Sequence, residues 1–453
     1  TICNAGLSPP ARPIVIARRA RGPRSCHTRK VEGTRGREPG GVRCRPISRI
    51  LPVTDRRFSD VAAWVTEAGL VGTSEPDLVR GFCQRLAAAG LPLTRATVIM
   101  DTLHPVHEGR VFPWWRDEQR EMIEYGRLAG NADAEASWRR SPFFHMLETG
   151  TTTLRRNFTR GDAADFPVLM ELRGQGHTDY VACINRFADA GSLGEMDCVY
   201  SSWASDAPEG FSDEEAALLC GLVPQLALAV KCSSLLRITD TLVATYLGRN
   251  AGRRVLAGRI MRGVADQVRS VLWYSDLRSF TQITNTVAPD QIIPFLNDYA
   301  DATISAIHEA GGDVLKLMGD GILAIFPAEQ PGEACRAALA AEALLRRRIA
   351  ELNDRRTAAG LPITGAYIGL HLGDVFFGNI GSQDRLDFTV IGPAVNMASR
   401  ISATCRLLGR NALLSSAFLA STPEPLRDGI VSVGHHALRG FDGHAELFTI
   451  ADA

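Results

Sequence analysis

The stretch Val271–Thr281 reads VLWYSDLRSFT, and the stretch Leu315–Phe326 reads LKLMGDGILAIF. The first is an apolar run that closes on Asp276, which predicts a buried strand with an acidic residue at its end. The second predicts two strands joined by a tight turn that contains Asp320. Each aspartate alone has an ordinary explanation, as a helix cap or as a turn residue. Together, two converging carboxylates could hold a pair of divalent ions, the arrangement used for displacement at phosphorus.

A third segment adds groups that suit a polyphosphate. Gly369–Gly381 reads GLHLGDVFFGNIG, and Leu386–Arg400 reads LDFTVIGPAVNMASR. Pro393 predicts a helix start, and the spacing of Asn396 and Arg400 puts both on one face of that helix, one turn apart. An amide and a guanidinium on one face can grip phosphate oxygens.

These segments together resemble the catalytic domain of class III nucleotidyl cyclases, over roughly residues 268 to 451. The resemblance implies two Mg²⁺ or Mn²⁺ ions held by Asp276, Asp320 and the backbone at Leu277. It also implies that Phe280 and Thr281 belong to the backbone segment that contacts the substrate's phosphates.

The resemblance also implies how the base is selected. Lys316 matches the lysine that reads adenine, and Thr389 matches a position filled by Asp or Thr in adenylyl cyclases. A lysine can donate to adenine N1, and a threonine hydroxyl can accept from the exocyclic amine. Guanine has the opposite arrangement of donors and acceptors, and guanylyl cyclases of this family have Glu and Cys at these two positions. The pair therefore indicates ATP rather than GTP.

The resemblance also implies three polar or charged contacts with the substrate, from Asn396, Arg400 and Arg439. In the family, the residues matched by Asn396 and Arg400 orient the ribose and stabilise charge that develops on the α-phosphate. The family's Lys-Gly-Lys element is replaced here by Leu438-Arg439-Gly440-Phe441. Arg439 keeps the charge that would meet the terminal phosphates, whereas the second lysine is absent.

The expected activity is adenylate cyclisation, in which ATP becomes 3′,5′-cyclic AMP and pyrophosphate at a homodimer interface. Guanylate cyclase is one alternative. A catalytically inactive module for dimerisation or nucleotide sensing is another, but such a module is expected to lose a metal aspartate, the asparagine or the arginine. This chain retains all of them.

Length and composition indicate how many domains the chain contains and of which general class. A length of 453 residues suggests two or three domains, and 45% hydrophobic with 22% charged residues is typical of globular proteins. The zero net charge hides an asymmetry, because residues 1–50 hold twelve Lys or Arg and two Glu. This Gly, Pro and Arg-rich segment could be a targeting arm or a nucleic-acid tail. Its composition and the lack of an initiating Met favour a disordered or artefactual extension over 1–55.

Membrane and redox signals point to a cytoplasmic protein. The longest apolar stretch, Ala216–Val230, is shorter than the ~20 apolar residues that span a bilayer. The ten cysteines include no Cys-x-x-Cys pair, so we expect reduced, mostly buried thiols. We expect neither a membrane nor a nucleic acid as a partner.

A second globular unit is expected over residues 56–232. Strands are predicted at Ala96–Met100, at Tyr180–Phe187 and at Met196–Trp203, the last two flanking a hairpin turn at Ala188–Leu193. Ser212 and Glu215 have the spacing of a capping box at the start of a helix. This order of elements resembles a GAF-type sensory domain, which implies a regulatory small molecule that the sequence does not identify.

Residues 233–267 are expected to form a helical signalling linker. Leu235, Ile238 and Leu242 follow three-four spacing, which suits a short parallel coiled coil. The alternative is a solvated tether.

The cyclase domain is expected over 268–453 as an α+β, ferredoxin-like sheet with helices on one face. The predicted elements are a strand at 269–275, a helix at 289–310, the hairpin around Asp320, a helix at 332–355 and a strand at 363–371.

Overall fold

The computed structural model describes residues 56–126, 132–187, 196–263 and 265–451. The basic extension predicted over 1–55 lies outside the described residues. The chain forms two compact units that divide between Thr239 and Asp240. We describe each unit separately.

The first unit is built on an antiparallel sheet of six strands in the order β3-β2-β1-β6-β5-β4. The strands are β1 (Arg95–Asp101), β2 (His107–Trp115), β3 (Ile123–Gly126), β4 (Thr153–Asn157), β5 (Asp179–Arg186) and β6 (Cys198–Ser205). The first five helices are α1 (Arg56–Leu70), α2 (Glu75–Ala88), α3 (Ala132–Arg139), α4 (Pro142–Thr149) and α5 (Pro167–Gly174), with a 3₁₀ turn at Phe158–Arg160. The predicted pairing of β5 with β6 is confirmed, whereas their predicted turn at Ala188–Leu193 lies outside the described residues.

A long helix, α6 (Asp213–Leu247), follows the sheet. Its predicted capping box is confirmed, because the Ser212 N–H donates to Glu215 at 2.7 Å and the Glu215 N–H donates to Ser212 Oγ at 3.1 Å. By length and composition alone α6 could cross a membrane, and 44% of its most apolar window is buried. Leu219, Leu222 and Leu226 are among its buried side chains, so α6 contributes apolar side chains to the protein core.

The segment after α6 departs from the predicted helical linker over 233–267. Gly248, at φ 85°, separates α6 from α7 (Arg249–Leu256), and strand β7 (Ala265–Leu277) already begins inside the predicted linker. Ala251 of α7 is fully buried in the core of the second unit. The backbone N–H groups of Arg249 and Asn250 hydrogen-bond to the buried carboxylate of Asp313. Helix α7 therefore packs as part of the second unit.

The second unit contains an eight-stranded sheet in the order β13-β14-β12-β10-β7-β9-β8, with β11 paired to β10. The remaining strands are β8 (Asp313–Met318), β9 (Gly321–Pro327), β10 (Ala366–Gly381), β11 (Leu386–Ile391), β12 (Ala412–Ser415), β13 (Ile430–Ala437) and β14 (His444–Ile450). The helices are α8 (Phe280–Thr284), α9 (Pro289–Glu309), α10 (Pro331–Ala358), α11 (Pro393–Leu408), α12 (Ser416–Ser421) and α13 (Glu424–Arg427). The run β7-α9-β8-β9-α10-β10, with the antiparallel order β10-β7-β9-β8, is the predicted ferredoxin-like topology.

Helices cover both faces of this sheet, so the prediction of helices on one face is wrong. Val271 and Trp273 point into a core shared with α9 and α10. Leu272 points the opposite way, into a core shared with Ala251 of α7 and Ala398 of α11. Successive strand residues alternate between faces, so an unbroken apolar run such as 271–273 fits a strand that is buried on both sides.

Candidate active site

Strand β7 and the β8-β9 hairpin bring Asp276 and Asp320 together. Ser275 of β7 pairs with Ile322 of β9, and Met318 pairs with Gly321, which leaves Gly319 and Asp320 as a two-residue turn. A Cβ atom on Gly321 would lie 2.7 Å from Asp276 Oδ1. Glycine at this position is therefore what lets the hairpin approach the first carboxylate.

The two carboxylates repel each other and lack a cationic side chain. Burial, followed by the negative charge of Asp320, raises the pKa of Asp276 to about 6. Among the described residues, no lysine, arginine or histidine forms an ion pair with either aspartate. Uncompensated acidic oxygens of this kind suit a hard divalent cation. The described residues hold no cluster of three or more His, Cys, Asp or Glu side chains that would complete an all-side-chain metal site, so further ligands would be backbone carbonyls such as that of Leu277, water or substrate.

A cavity of about 180 Å³ adjoins the pair. Asp276, Leu277 and Asp320 line it, and α9 contributes residues such as Asn297 and Thr303. The acidic pair is therefore reachable from a concave surface, as a substrate site requires.

The segment after β7 turns sharply at Ser279. Ser279 has φ 53°, and no other non-glycine residue in the described part of the chain has a positive φ. Phe280 follows, and its ring stacks on Phe295 with centroids 6.4 Å apart. Thr281 is exposed, and its carbonyl oxygen accepts from Thr284 Oγ1 at 3.1 Å. Non-glycine residues with a positive φ are uncommon and often mark functional segments. The role of Phe280 and Thr281 in binding stays a prediction.

Lys316, on β8, forms an ion pair with Asp387 of β11. The structure shows no bond between Lys316 and Thr389. On β11, Phe388 and Val390 are buried, whereas Asp387 and Thr389 are partly exposed, so these two share the outer face of the strand. Asp387 was missed by the sequence analysis, although its position two residues before Thr389 on an alternating strand is a readable signal.

Asn396 and Arg400 lie on α11, which begins at Pro393 as predicted. Both are exposed, whereas Ala394 and Ala398 face the sheet. In the described chain neither side chain hydrogen-bonds or ion-pairs with Asp276 or Asp320. Within one chain, the predicted catalytic pair is thus presented to solvent, away from direct contact with the carboxylates.

Tyr274 connects the two halves of the site and was also missed. It hydrogen-bonds with Ser399 of α11. Burial, then the charge of Asp276, raises the pKa of Tyr274, while Arg400 acts in the opposite direction. A phenol two residues before Asp276 on the same strand lies on the same face, which is the signal that could have identified it.

Arg439 lies in the turn between β13 and β14, where the Phe441 N–H donates to the Leu438 carbonyl at 3.1 Å. Leu438 is buried and Arg439 is exposed. No contact joins Arg439 to the other predicted site residues within the described ranges. Its role as a phosphate contact stays a prediction.

The fold and the acidic pair define an α+β domain whose site suits divalent cations. Residues 265–409 match the family model described as the adenylate and guanylate cyclase catalytic domain. Over this segment, about a third of its length, the chain is similar to the catalytic domain of adenylate and guanylate cyclases.

Curated relatives and solved structures extend the comparison. An adenylate cyclase of Anabaena cylindrica is 36% identical over 167 residues, which cover 36% of this chain and 32% of the relative. Adenylate cyclase 1 of Rhizobium meliloti (strain 1021) is 28% identical over 159 residues, covering 34% of this chain and 23% of the relative. This chain thus matches about a third or less of the length of these relatives.

Among solved structures, the adenylyl cyclase CyaB from P. aeruginosa is 22% identical with a TM-score of 0.38. The match covers 42% of this chain and 97% of the CyaB chain. The guanylyl cyclase Cya2 is 27% identical with a TM-score of 0.37, covering 42% and 94%. At these identities the choice between adenylate and guanylate is not decided by similarity.

Proposed function

We propose that this protein is an adenylate cyclase that converts ATP to 3′,5′-cyclic AMP and pyrophosphate. The observation that carries the proposal is the pair of uncompensated carboxylates, Asp276 and Asp320, held against each other beside a cavity in a cyclase domain. Nothing in the described chain neutralises this pair, so its electrostatic cost is relieved when a cation binds.

The divalent cations of this site would be Mg²⁺ or Mn²⁺, two per active site, held by Asp276, Asp320 and the Leu277 carbonyl. When bound, they supply a lowered pKa for the ribose 3′ hydroxyl and charge neutralisation for the triphosphate. The chain's own residues do the remaining work. Phe280 and Thr281 orient phosphate, Asn396 holds the ribose, and Arg400 meets the charge that develops on the α-phosphate.

Adenine is proposed to bind between β8 and β11. Lys316 donates to N1, and Thr389 accepts from the exocyclic amine. The Lys316–Asp387 ion pair keeps the ammonium over the face of β11 that also carries Thr389. Both side chains of the ion pair are more than two-fifths exposed, so its energy is small and substrate can redirect the lysine at little cost.

The complete site is proposed to form between two copies of the chain. Apolar side chains are exposed along the end of β8 and on the β10-β11 hairpin; they are Leu317, Met318, Phe376, Ile380, Leu386 and Ile391. Exposed apolar side chains grouped around a functional segment are typical of a protein interface. Asn396 and Arg400, which do not touch the carboxylates of their own chain, would then serve the carboxylates of the other.

The first unit is proposed to be a GAF-like regulatory domain that acts on the cyclase in the cytoplasm, without membrane or nucleic acid. Its antiparallel sheet supports the assignment. A cavity of about 440 Å³ beside β2, lined by Trp114 and Trp115 among others, could take a small-molecule regulator. Trp115 has the guanidinium groups of Arg95 and Arg120 over its ring, at 4.6 and 4.9 Å.

The test is product identification. Purified protein is incubated with MnATP or with MnGTP, and the cyclic nucleotide is separated and identified. Cyclic AMP from ATP, lost in Asp320→Asn and retained in the exposed matched control Asp428→Asn, is the expected result. Cyclic GMP as the main product would assign a guanylate cyclase, and no cyclic product from a folded dimer would assign an inactive module.

A further inference from the structure

Two cysteines of the first unit lie in contact. Cys183 on β5 and Cys220 on α6 have their Sγ atoms 3.7 Å apart. A disulfide needs a sulfur–sulfur distance of about 2.05 Å, so closure requires roughly 1.7 Å of movement. Rotation of the two side chains can supply much of that movement.

The two thiols differ in the way that thiol–disulfide exchange requires. Cys220 is partly exposed, whereas Cys183 is buried. The hydrogen bond from the Cys183 thiol lowers the pKa of Cys220, and the nearby charge of Arg155 acts in the same direction. The same hydrogen bond and burial raise the pKa of Cys183. Cys220 is thus the more exposed of the two cysteines and suits the attacking role, whereas the buried Cys183 suits the resolving role.

We propose that Cys183 and Cys220 form a reversible disulfide by exchange with a low-molecular-weight disulfide of the glutathione type. The Cys220 thiolate attacks one sulfur of that disulfide, which forms a mixed disulfide and releases one thiolate. Cys183 then loses its proton to solvent and attacks Cys220 Sγ, which releases the second thiolate. The protein loses two hydrogens, and the small disulfide is reduced to two thiols. This site is independent of the proposed cyclase activity.

The bond would join strand β5, which lies next to the edge strand β4, to the long helix α6. It would close a loop of the chain between residues 183 and 220, which restricts the unfolded state. Oxidised protein should therefore melt several degrees higher than reduced protein, and the difference should vanish on adding dithiothreitol.

The full-length protein, still folded, is incubated with glutathione disulfide, its remaining thiols are alkylated, and all ten cysteines are mapped by mass spectrometry. The expected result is a cross-linked peptide pair containing Cys183 and Cys220, absent after reduction. In Cys183→Ser the resolving thiol is missing, so a glutathionyl group should persist on Cys220. Cys232→Ser, which removes an exposed thiol of the same helix, is the matched control and should leave the cross-link unchanged.

Two outcomes would overturn the proposal. One is a wild-type map in which Cys232 becomes glutathionylated while Cys183 and Cys220 stay unlinked. The other is a cross-link that appears only under denaturing conditions. The wild-type map alone decides both, so the conclusion does not depend on whether a serine variant folds.

Discussion

At the scale of single residues, Asp276 combines an unfavourable buried charge with a proposed role in binding metal. Its pKa is raised from 3.8 to about 6 by burial and by Asp320. Between those two pH values the folded chain binds more protons than the unfolded chain, so metal-free stability falls as pH rises through this window. Above it, the site holds an unfavourable charge that a divalent cation would relieve.

Asp276→Asn should therefore stabilise the metal-free protein at pH 7.5 while abolishing cyclase activity. The gain should be below about 1 kcal/mol, because Asp276 is partly exposed and solvent screens the repulsion. Thermal melts with and without Mn²⁺ measure it. Mn²⁺ should raise the melting temperature of wild type but much less that of the variant. Retention of more than about a tenth of wild-type activity would contradict the assignment of Asp276.

Sequence reasoning predicted the candidate residues that lie in local strand and turn patterns. Asp276 at a strand end and Asp320 in a turn could be predicted because strand and turn signals are local. The Lys316–Asp387 pair could not, because 71 residues separate its partners and only the fold brings them together. Tyr274 was missed because an aromatic residue in a strand is ordinarily explained by packing.

Base selection is testable by exchanging the groups that read adenine. Lys316→Glu with Thr389→Cys reverses the donor and acceptor pattern, but the introduced glutamate would face Asp387. Repulsion between the two carboxylates would move the glutamate away from the base, so Asp387→Asn should be added. The triple variant should use GTP better than the double variant and ATP worse than wild type. The difference in activation free energy between the two nucleotides should change by at most a few kcal/mol.

Steady-state rates with both nucleotides provide the measurement, and Asp387→Asn alone is the control. Unchanged ATP preference in the folded triple variant would show that adenine is read elsewhere.

At the scale of elements, strand β10 carries a partly buried histidine, His371. Burial lowers the pKa of His371 to about 4, and its Nδ1 lies 2.8 Å from Ser415 Oγ. The pKa of this histidine is 6.5 in the unfolded chain and about 4 in the folded chain. The contribution of His371 to the free energy of unfolding is therefore fully present above pH 6.5. It declines as the pH falls toward 4, because the unfolded chain then binds a proton that the folded chain does not.

His371→Asn should make the free energy of unfolding less dependent on pH. Wild type should lose up to about 3 kcal/mol between pH 6.5 and 4 through this residue, and the variant should lack that component. Urea unfolding at several pH values gives the slopes. His444→Asn, at an exposed histidine, should keep the wild-type slope, and identical slopes for wild type and His371→Asn would refute the argument.

The strand order was predictable because β7, β8, β9 and β10 have strong local signals and connect through helices of expected length. The second helical layer was not predicted. The apolar run 271–273 nevertheless carried the signal, since consecutive apolar residues point to opposite faces. The role of α7 could not be inferred, because its burial depends on a contact between Asp313 and a helix more than fifty residues earlier.

At the scale of the whole molecule, the catalytic unit should work alone if cut in the right place. A chain that starts at Asp240 keeps α7 and all of β7. A chain that starts at Ser270 loses five residues of β7 and leaves the buried Asp313 without the N–H groups of α7. We expect the first to cyclise ATP at concentrations that permit dimerisation, and the second to be insoluble or inactive.

Activity against concentration, together with size measurement, compares the two chains. If the longer one is folded and dimeric yet inactive at every concentration, residues before 240 contribute to catalysis.

A two-fold homodimer with a shared site makes the strongest prediction. Asp276→Ala and Asn396→Ala dimers should each be inactive, because every site lacks one group. In a mixed dimer one site collects both lesions, while the other takes an intact Asp276 from one chain and an intact Asn396 from its partner. Random pairing makes half of the dimers mixed, so about a quarter of all sites should recover. Co-refolding the two variants and measuring cyclic AMP tests this, with wild type refolded in parallel as the control. No recovery, although mass spectrometry demonstrates mixed dimers, would mean that each chain builds its site alone.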